Sequence, residues 1–315
     1  MEFAGFLGNS DLKRRLSASF RAGRSSHCYL LCGPEGSGKR TLANILAAAL
    51  QCEHDAVPCG RCLPCRKAFS HTHPDIITID DPEKKTVSVE LIRQLQADAF
   101  IRPNEGRHKV YVIPRAQEMT ENAQNALLKL IEEPPAYAVF LLIACSAEKL
   151  LPTVRSRCAE LRLEPVPVDE ALPWLSAQFP EQSRDTLQAA YLRSGGYLGQ
   201  TAELLRGSFY LPQTLEFAEA FARKDTLALT MTLCAMEKQP RNKLQDMLAQ
   251  WRQLLADAML VRAGLPGTPE ATSIGRSRTG TDLAQAVQAL QKALDACAAN
   301  IGTGHICGWL VTALS

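Results

Sequence analysis

Gly33-Pro34-Glu35-Gly36-Ser37-Gly38-Lys39 follows the apolar run Cys28-Tyr29-Leu30-Leu31-Cys32 and leads into an Ala- and Leu-rich segment from Thr41 to Leu50. Strand, glycine loop, helix is the context in which the spacing Gly-x4-Gly-Lys builds a phosphate loop. The glycines let backbone N–H groups turn inward around phosphate oxygens, the helix offers its positive end, and Lys39 adds a point charge. Outside that context the same residues would be a glycine-rich turn. Further apolar runs at Ile76–Ile79, Val110–Ile113 and Val139–Ala144 alternate with helical patterns at Val89–Ala99 and Ala123–Glu133, the latter stopped by Pro134-Pro135. This alternation predicts a parallel sheet with crossover helices.

Hydrolysis of a bound triphosphate needs more than the loop. A hydroxyl just after the lysine must hold magnesium, and acidic residues at the end of a neighbouring strand must hold the metal and orient water. Position 40 is Arg, Thr41 lies about 100° further around the helix, and Val110–Ile113 ends in Pro114-Arg115 rather than an acidic pair. Glu118 is a full turn further along. The loop therefore reads either as a nucleotide cradle without hydrolysis, using Gly33, Gly36, Gly38, Lys39 and Thr41, or as a relict held by its fold. Magnesium is not expected.

Four of the 11 cysteines are clustered as Cys52-x6-Cys59-x2-Cys62-x2-Cys65, with Pro58 and Gly60 supplying turns. Four thiolates in a compact loop satisfy tetrahedral zinc with no open position, so the metal would be structural; an iron–sulfur cluster fits such spacing too. His54, His71 and His73 read as exposed loop residues nearby. Cys28, Cys32, Cys145 and Cys158 lie in or beside apolar strands and read as small buried side chains.

With 315 residues, 46% of them hydrophobic and 22% charged, the chain is long enough for two or three domains with sizeable cores. A formal charge of +2 gives no global field for nucleic acid. The apolar run Val139–Cys145 is too short to span a bilayer, and the start has no basic region leading into an apolar core, so a cytosolic protein is expected. After Leu163 strand-like runs cease. Pro165 and Pro167 mark a hinge, short helical stretches reach Arg206, and the pattern stays helical to the end. Trp251, Leu254, Leu255, Ala258 and Met259 form one stripe, and Pro266 to Thr281 reads as a loop. The domains expected are 1–164 with a zinc module at 52–65, a small helical domain at 165–206, and a helical domain at 207–315.

Taken together, the phosphate loop, the four-cysteine insertion, His73-Pro74-Asp75, Asn125-Ala126-Leu127-Leu128-Lys129 with Glu132-Glu133-Pro134-Pro135, and Arg155-Ser156-Arg157-Cys158 resemble the bacterial clamp-loader subunits of DNA polymerase III. The resemblance covers about residues 5 to 206. It implies an α/β P-loop AAA+ domain with a zinc insertion, a small helical lid, and an all-α collar that assembles a ring. Arg40, Pro114-Arg115, and Gly199, where motor members carry a nucleotide-sensing arginine, favour the non-hydrolysing zinc-bearing type. For that type the resemblance implies Arg157 as an arginine finger acting in trans, with Arg155 able to share the role. It also implies motor (γ/τ) and δ subunits as partners in a pentameric ring, and a sliding clamp and primed DNA reached through the complex. Two rival readings are an active motor ATPase using Thr41 and Glu118, and a zinc-dependent DNA-binding module.

Overall fold

The computed structural model describes residues 1–315 apart from 2, 56, 82, 85, 207–209, 238, 300 and 315. Its N-terminal portion runs α1 (Ser10–Arg21), β1 (Cys28–Cys32), α2 (Lys39–Gln51), α3 (Leu63–Phe69), β2 (Ile76–Thr78), α4 (Val89–Ala99), β3 (Lys109–Ile113), α5 (Glu121–Glu132), β4 (Ala138–Ala144), α6 (Pro152–Arg155) and β5 (Ala159–Arg162). The strands pair in parallel in the order β2-β3-β4-β1-β5. Every residue of β1, β3 and β4 is buried, as a parallel sheet covered on both faces requires. Alternation then sorts the side chains. Leu30, Tyr111, Ile113, Phe140 and Leu142 pack with α4 and α5 on one face, while Leu31, Val110, Val112, Leu141 and Ile143 pack with α1 and α2 on the other. Tyr111 stacks on Phe140 at 5.5 Å between ring centroids.

Local chemistry sets the helix boundaries. Thr120 caps α5 by accepting the Ala123 N–H at 3.2 Å, so the helix begins two residues before the apolar pattern does. Because β1 lies between β4 and β5, the chain returns to opposite sides of it, and the carboxyl ends of β1, β3 and β4 share one edge. Such a switch in strand order is where α/β sheets carry their sites.

The remaining helices are α7 (Val168–Gln178), α8 (Arg184–Arg193), α9 (Leu198–Arg206), α10 (Pro212–Arg223), α11 (Thr226–Glu237), α12 (Arg241–Arg262), α13 (Pro269–Ser277), α14 (Gly280–Ala298) and α15 (Thr303–Leu314). The chain forms two compact units. One comprises Met1–Ala171 with Ser194–Thr201, the other Leu172–Arg193 with Ala202–Ser315. The boundary expected after Arg206 adjoins 207–209, which lie outside the described residues. In the helical unit Trp251 is fully buried and stacks on Phe217 at 4.0 Å.

Two expectations are corrected here. The stretch Pro266 to Thr281 is not simply a loop. Thr268 caps α13 by accepting the Ala271 N–H, Pro269 fits the first turn, and Ala271 and Ile274 are buried, so capping and packing outweigh the Gly/Ser/Thr composition. Met259 is exposed at the rim of the α12 stripe, which is carried instead by Leu244, Leu248, Trp251, Leu254, Leu255 and Ala258. Among the described residues no helix is long and apolar enough to cross a membrane.

Candidate functional site at the carboxyl edge of the sheet

The phosphate loop leaves β1 and turns into α2 through Gly36 and Gly38, both in the left-handed region at φ 68° and 92°. Lys39 is the first residue of α2 and only 9% exposed. Its ammonium donates to the carbonyls of Gly33 and Pro34, so the loop's own backbone engages the charge that would meet a phosphate. Burial lowers the Lys39 pKa. Ser37 Oγ is buried with no hydrogen-bond partner among the described residues. Segment Ser194–Thr201 closes on this loop: the Gly199 N–H donates to the Gly36 carbonyl at 2.9 Å. A Cβ on Gly36 would lie 2.3 Å from the Gln200 nitrogen, and one on Gly199 would lie 2.5 Å from the Gly36 Cα. Two residues without side chains permit this approach of backbone to backbone.

Where a hydrolase carries its metal ligands, this chain carries something else. Arg40 and Thr41 are exposed. Arg115, just past β3, is ion-paired with Asp80 at 2.6 Å and donates to the carbonyls of Lys84 at 2.9 Å and Asp81 at 2.7 Å. The position expected for an acidic pair thus holds a cation that ties down the loop after β2. Glu118 is half-buried in a single turn, where its carbonyl accepts the Val87 N–H. Beyond β4 the Cys145 N–H donates to the Gln117 side-chain oxygen at 3.3 Å. Glycine turns and a helix start fit an anionic group.

Arg157 lies between α6 and β5. Its guanidinium is ion-paired with Glu132 at 2.7 Å and donates to the Thr153 carbonyl at 2.9 Å and to Ser156 Oγ at 3.2 Å, with the side chain 38% exposed. Arg155 faces Glu160 at 3.9 Å, and Glu160 is shared with Arg162 at 2.6 Å. Directly after Arg157, Cys158 brings its sulfur within 3.1 Å of the Cys28 sulfur.

The four clustered cysteines converge. The sulfurs of Cys52, Cys59, Cys62 and Cys65 all lie within 4.8 Å of one another. A tetrahedron of Zn–S bonds of about 2.3 Å has sulfurs about 3.8 Å apart, so a small contraction would close the site on a metal ion. Backbone N–H groups already point at sulfur, from Cys59 to Cys52 at 3.4 Å and from Cys62 to Cys59 at 3.3 Å. The N–H groups of Cys62 and Arg61 bring the Cys59 thiol down to about 6, whereas burial pushes Cys65 up. His54 Nδ1 stands 3.6 Å from the Cys59 sulfur, and His71 is exposed. His73, expected at the surface, is 4% exposed because its ring Nδ1 accepts the Asp75 N–H at 3.1 Å.

Several residues take partners that the sequence did not show. Asp75 is fully buried and gathers the N–H groups of Asn104 at 2.6 Å, Glu105 at 2.9 Å and Gly106 at 2.7 Å. Asp80 and Glu132 partner the two arginines from 35 and 25 residues away, respectively. The motif around His73-Pro74-Asp75 is visible in sequence, but the acceptor role of its aspartate appears only once β2 is set beside the loop before β3.

A parallel sheet with a phosphate loop after its interior strand β1, an arginine where the acidic pair should be, and a four-thiol module define a P-loop protein of the AAA+ class. The profile of the family described as "DNA polymerase III, delta subunit" matches residues 8–167. The delta-prime subunit of Pseudomonas aeruginosa is 33% identical over 231 residues, 72% of this chain and 70% of the relative, and that of Escherichia coli is 36% identical over 196 residues, 61% and 58% respectively. The chain belongs to the delta-prime family of DNA polymerase III clamp-loader subunits. Gamma subunits of DNA polymerase III are also similar: one from Buchnera aphidicola is 27% identical over 274 residues, 82% of this chain and 75% of that one. Among solved structures, a gamma-subunit-related protein from Thermotoga maritima covers 95% of this chain and 99% of its own length at a TM-score of 0.40 and 19% identity.

Proposed function

We propose that this chain is the non-hydrolysing stator of a bacterial clamp loader, a subunit that completes a neighbour's ATPase site with Arg157 while turning over no ATP itself. The observation that carries this reading is Arg115. A guanidinium locked to Asp80 at 2.6 Å stands where a hydrolase keeps the carboxylates that hold metal and orient water. The inward-turned Lys39 and the Gly36–Gly199 contact point the same way. Bound nucleotide, if held by Gly33, Gly36, Gly38 and Lys39, would be uncleaved. Zinc on Cys52, Cys59, Cys62 and Cys65 would be structural, since four thiolates leave no site for water.

On this reading the partners are motor (γ/τ) and δ subunits in a pentameric ring of the bacterial cytoplasm that places a sliding clamp on primed DNA. Residues 165–206 would form the lid and 207–315 the collar. The finger's guanidinium would stabilise charge on the transferring phosphoryl group, a role worth about 10³–10⁵ in turnover where it has been isolated. The isolated chain should show no ATP turnover above background, and Arg157→Ala should depress DNA-stimulated ATP turnover of a reconstituted ring without preventing assembly. Metal-dependent hydrolysis by the isolated chain that Lys39→Ala abolishes would instead establish the motor reading, which the similarity to gamma and tau subunits favours.

A further inference from the structure

Glu132 is the last residue of α5, where Glu133 leaves helical geometry and Pro134 ends the run. A carboxylate at a helix C-terminus faces the negative end of the macrodipole and is disfavoured there unless a cation answers it. The cation is Arg157, at 2.7 Å. Both sides of this pair rest on rigid supports. α5 is anchored by buried Leu127, Leu130 and Ile131, and α6 is anchored by Val154, which is fully buried.

We propose that Glu132 is the positioning residue of Arg157: with the Thr153 carbonyl and Ser156 Oγ it engages two of the guanidinium's nitrogens from within the chain and so favours one orientation of the remaining donors. The inference rests on the reading of Arg157 as a finger. An arginine has five N–H donors in a planar fork; here NH1 bonds to the Thr153 carbonyl and Ser156 Oγ and NH2 to Glu132, which leaves Nε and the second NH2 donor for an outside phosphate. At 38% and 44% side-chain exposure the pair is wet enough to be weak. It biases the rotamer of a long side chain without locking it.

The test uses the reconstituted clamp loader with DNA-stimulated ATP turnover as readout. Glu132→Ala should lower kcat about 3- to 10-fold, the scale of a loosened but present catalytic group, with KM for ATP unchanged. Glu132→Gln, whose amide oxygen still accepts from the guanidinium, should restore most of the loss. Glu132→Ala combined with Arg157→Ala should be no slower than Arg157→Ala alone. If Arg157→Ala itself leaves turnover intact, the finger reading fails and this inference with it. If Arg157→Ala is impaired but Glu132→Ala is not, or the two losses multiply, or KM shifts instead of kcat, only the positioning role is overturned. A drop in melting temperature of isolated Glu132→Ala that Glu132→Gln fails to repair would likewise assign Glu132 to stability and refute it.

Discussion

The contact between Gly199 and Gly36 can be tested by adding a single carbon atom. Gly199 needs no left-handed backbone, so Gly199→Ala introduces only a steric problem: its Cβ would sit 2.5 Å from the Gly36 Cα and 2.7 Å from the Gly36 oxygen. Backbone cannot rotate out of the way as a side chain can, and overpacking of this kind costs about 1–3 kcal/mol. Gly23 isolates the other effect. At φ +64° with nothing within 4 Å of a built Cβ, its replacement by Ala carries backbone strain alone, about 1 kcal/mol. Gly36→Ala combines both, at φ +68° with the Gln200 nitrogen 2.3 Å away, and should exceed either. At about 2–4 °C per kcal/mol for a unit of this size, Gly199→Ala should lower the melting transition of the sheet-bearing unit by about 2–12 °C in scanning calorimetry. The expected ranking is Gly36→Ala worst, with Gly199→Ala destabilising despite its permissive backbone. A Gly199→Ala protein that melts with the wild type would refute the close approach, and with it the view that segment Ser194–Thr201 seals the phosphate loop.

Burial alone would raise the pKa of Asp75, but the N–H groups of Asn104, Glu105 and Gly106 overcome it and hold the carboxyl below its ordinary value. A depressed folded-state pKa stabilises above the unfolded value of about 3.9 and ceases to do so as pH falls through the folded one. Asp75→Asn should therefore cost about 2–4 kcal/mol in urea unfolding at pH 7, a deficit that narrows as pH falls below about 4; a pH-independent difference would contradict this. Elemental analysis of protein purified without added metal should find about one zinc per chain. Chelation should then lower the melting temperature of wild type but not of a Cys52→Ala, Cys65→Ala double variant, whereas iron or no metal would exclude the zinc site.

What the sequence determined by itself is what short-range chemistry encodes. The phosphate loop lies within seven consecutive residues, the four thiols within fourteen, and the strands announce themselves as unbroken apolar runs because both faces of a parallel sheet are covered. Capping was legible only in part: Thr268 before Pro269 carried the helix signal that composition masked around Pro266 to Thr281. Only the tertiary structure decided what each unusual residue does. Arg115 reads as a missing carboxylate in sequence and becomes a strut once the β2–β3 register brings Asp80 to it. Gly199 reads as a lost arginine and becomes the place where backbone meets the phosphate loop. Arg157 reads as a finger only by resemblance, and its ion pair with Glu132 appears only in the fold. Spacing along the chain fixes local dihedrals and ligand sets, whereas partners 25 to 163 residues apart are fixed by strand order and helix packing, which no local pattern specifies.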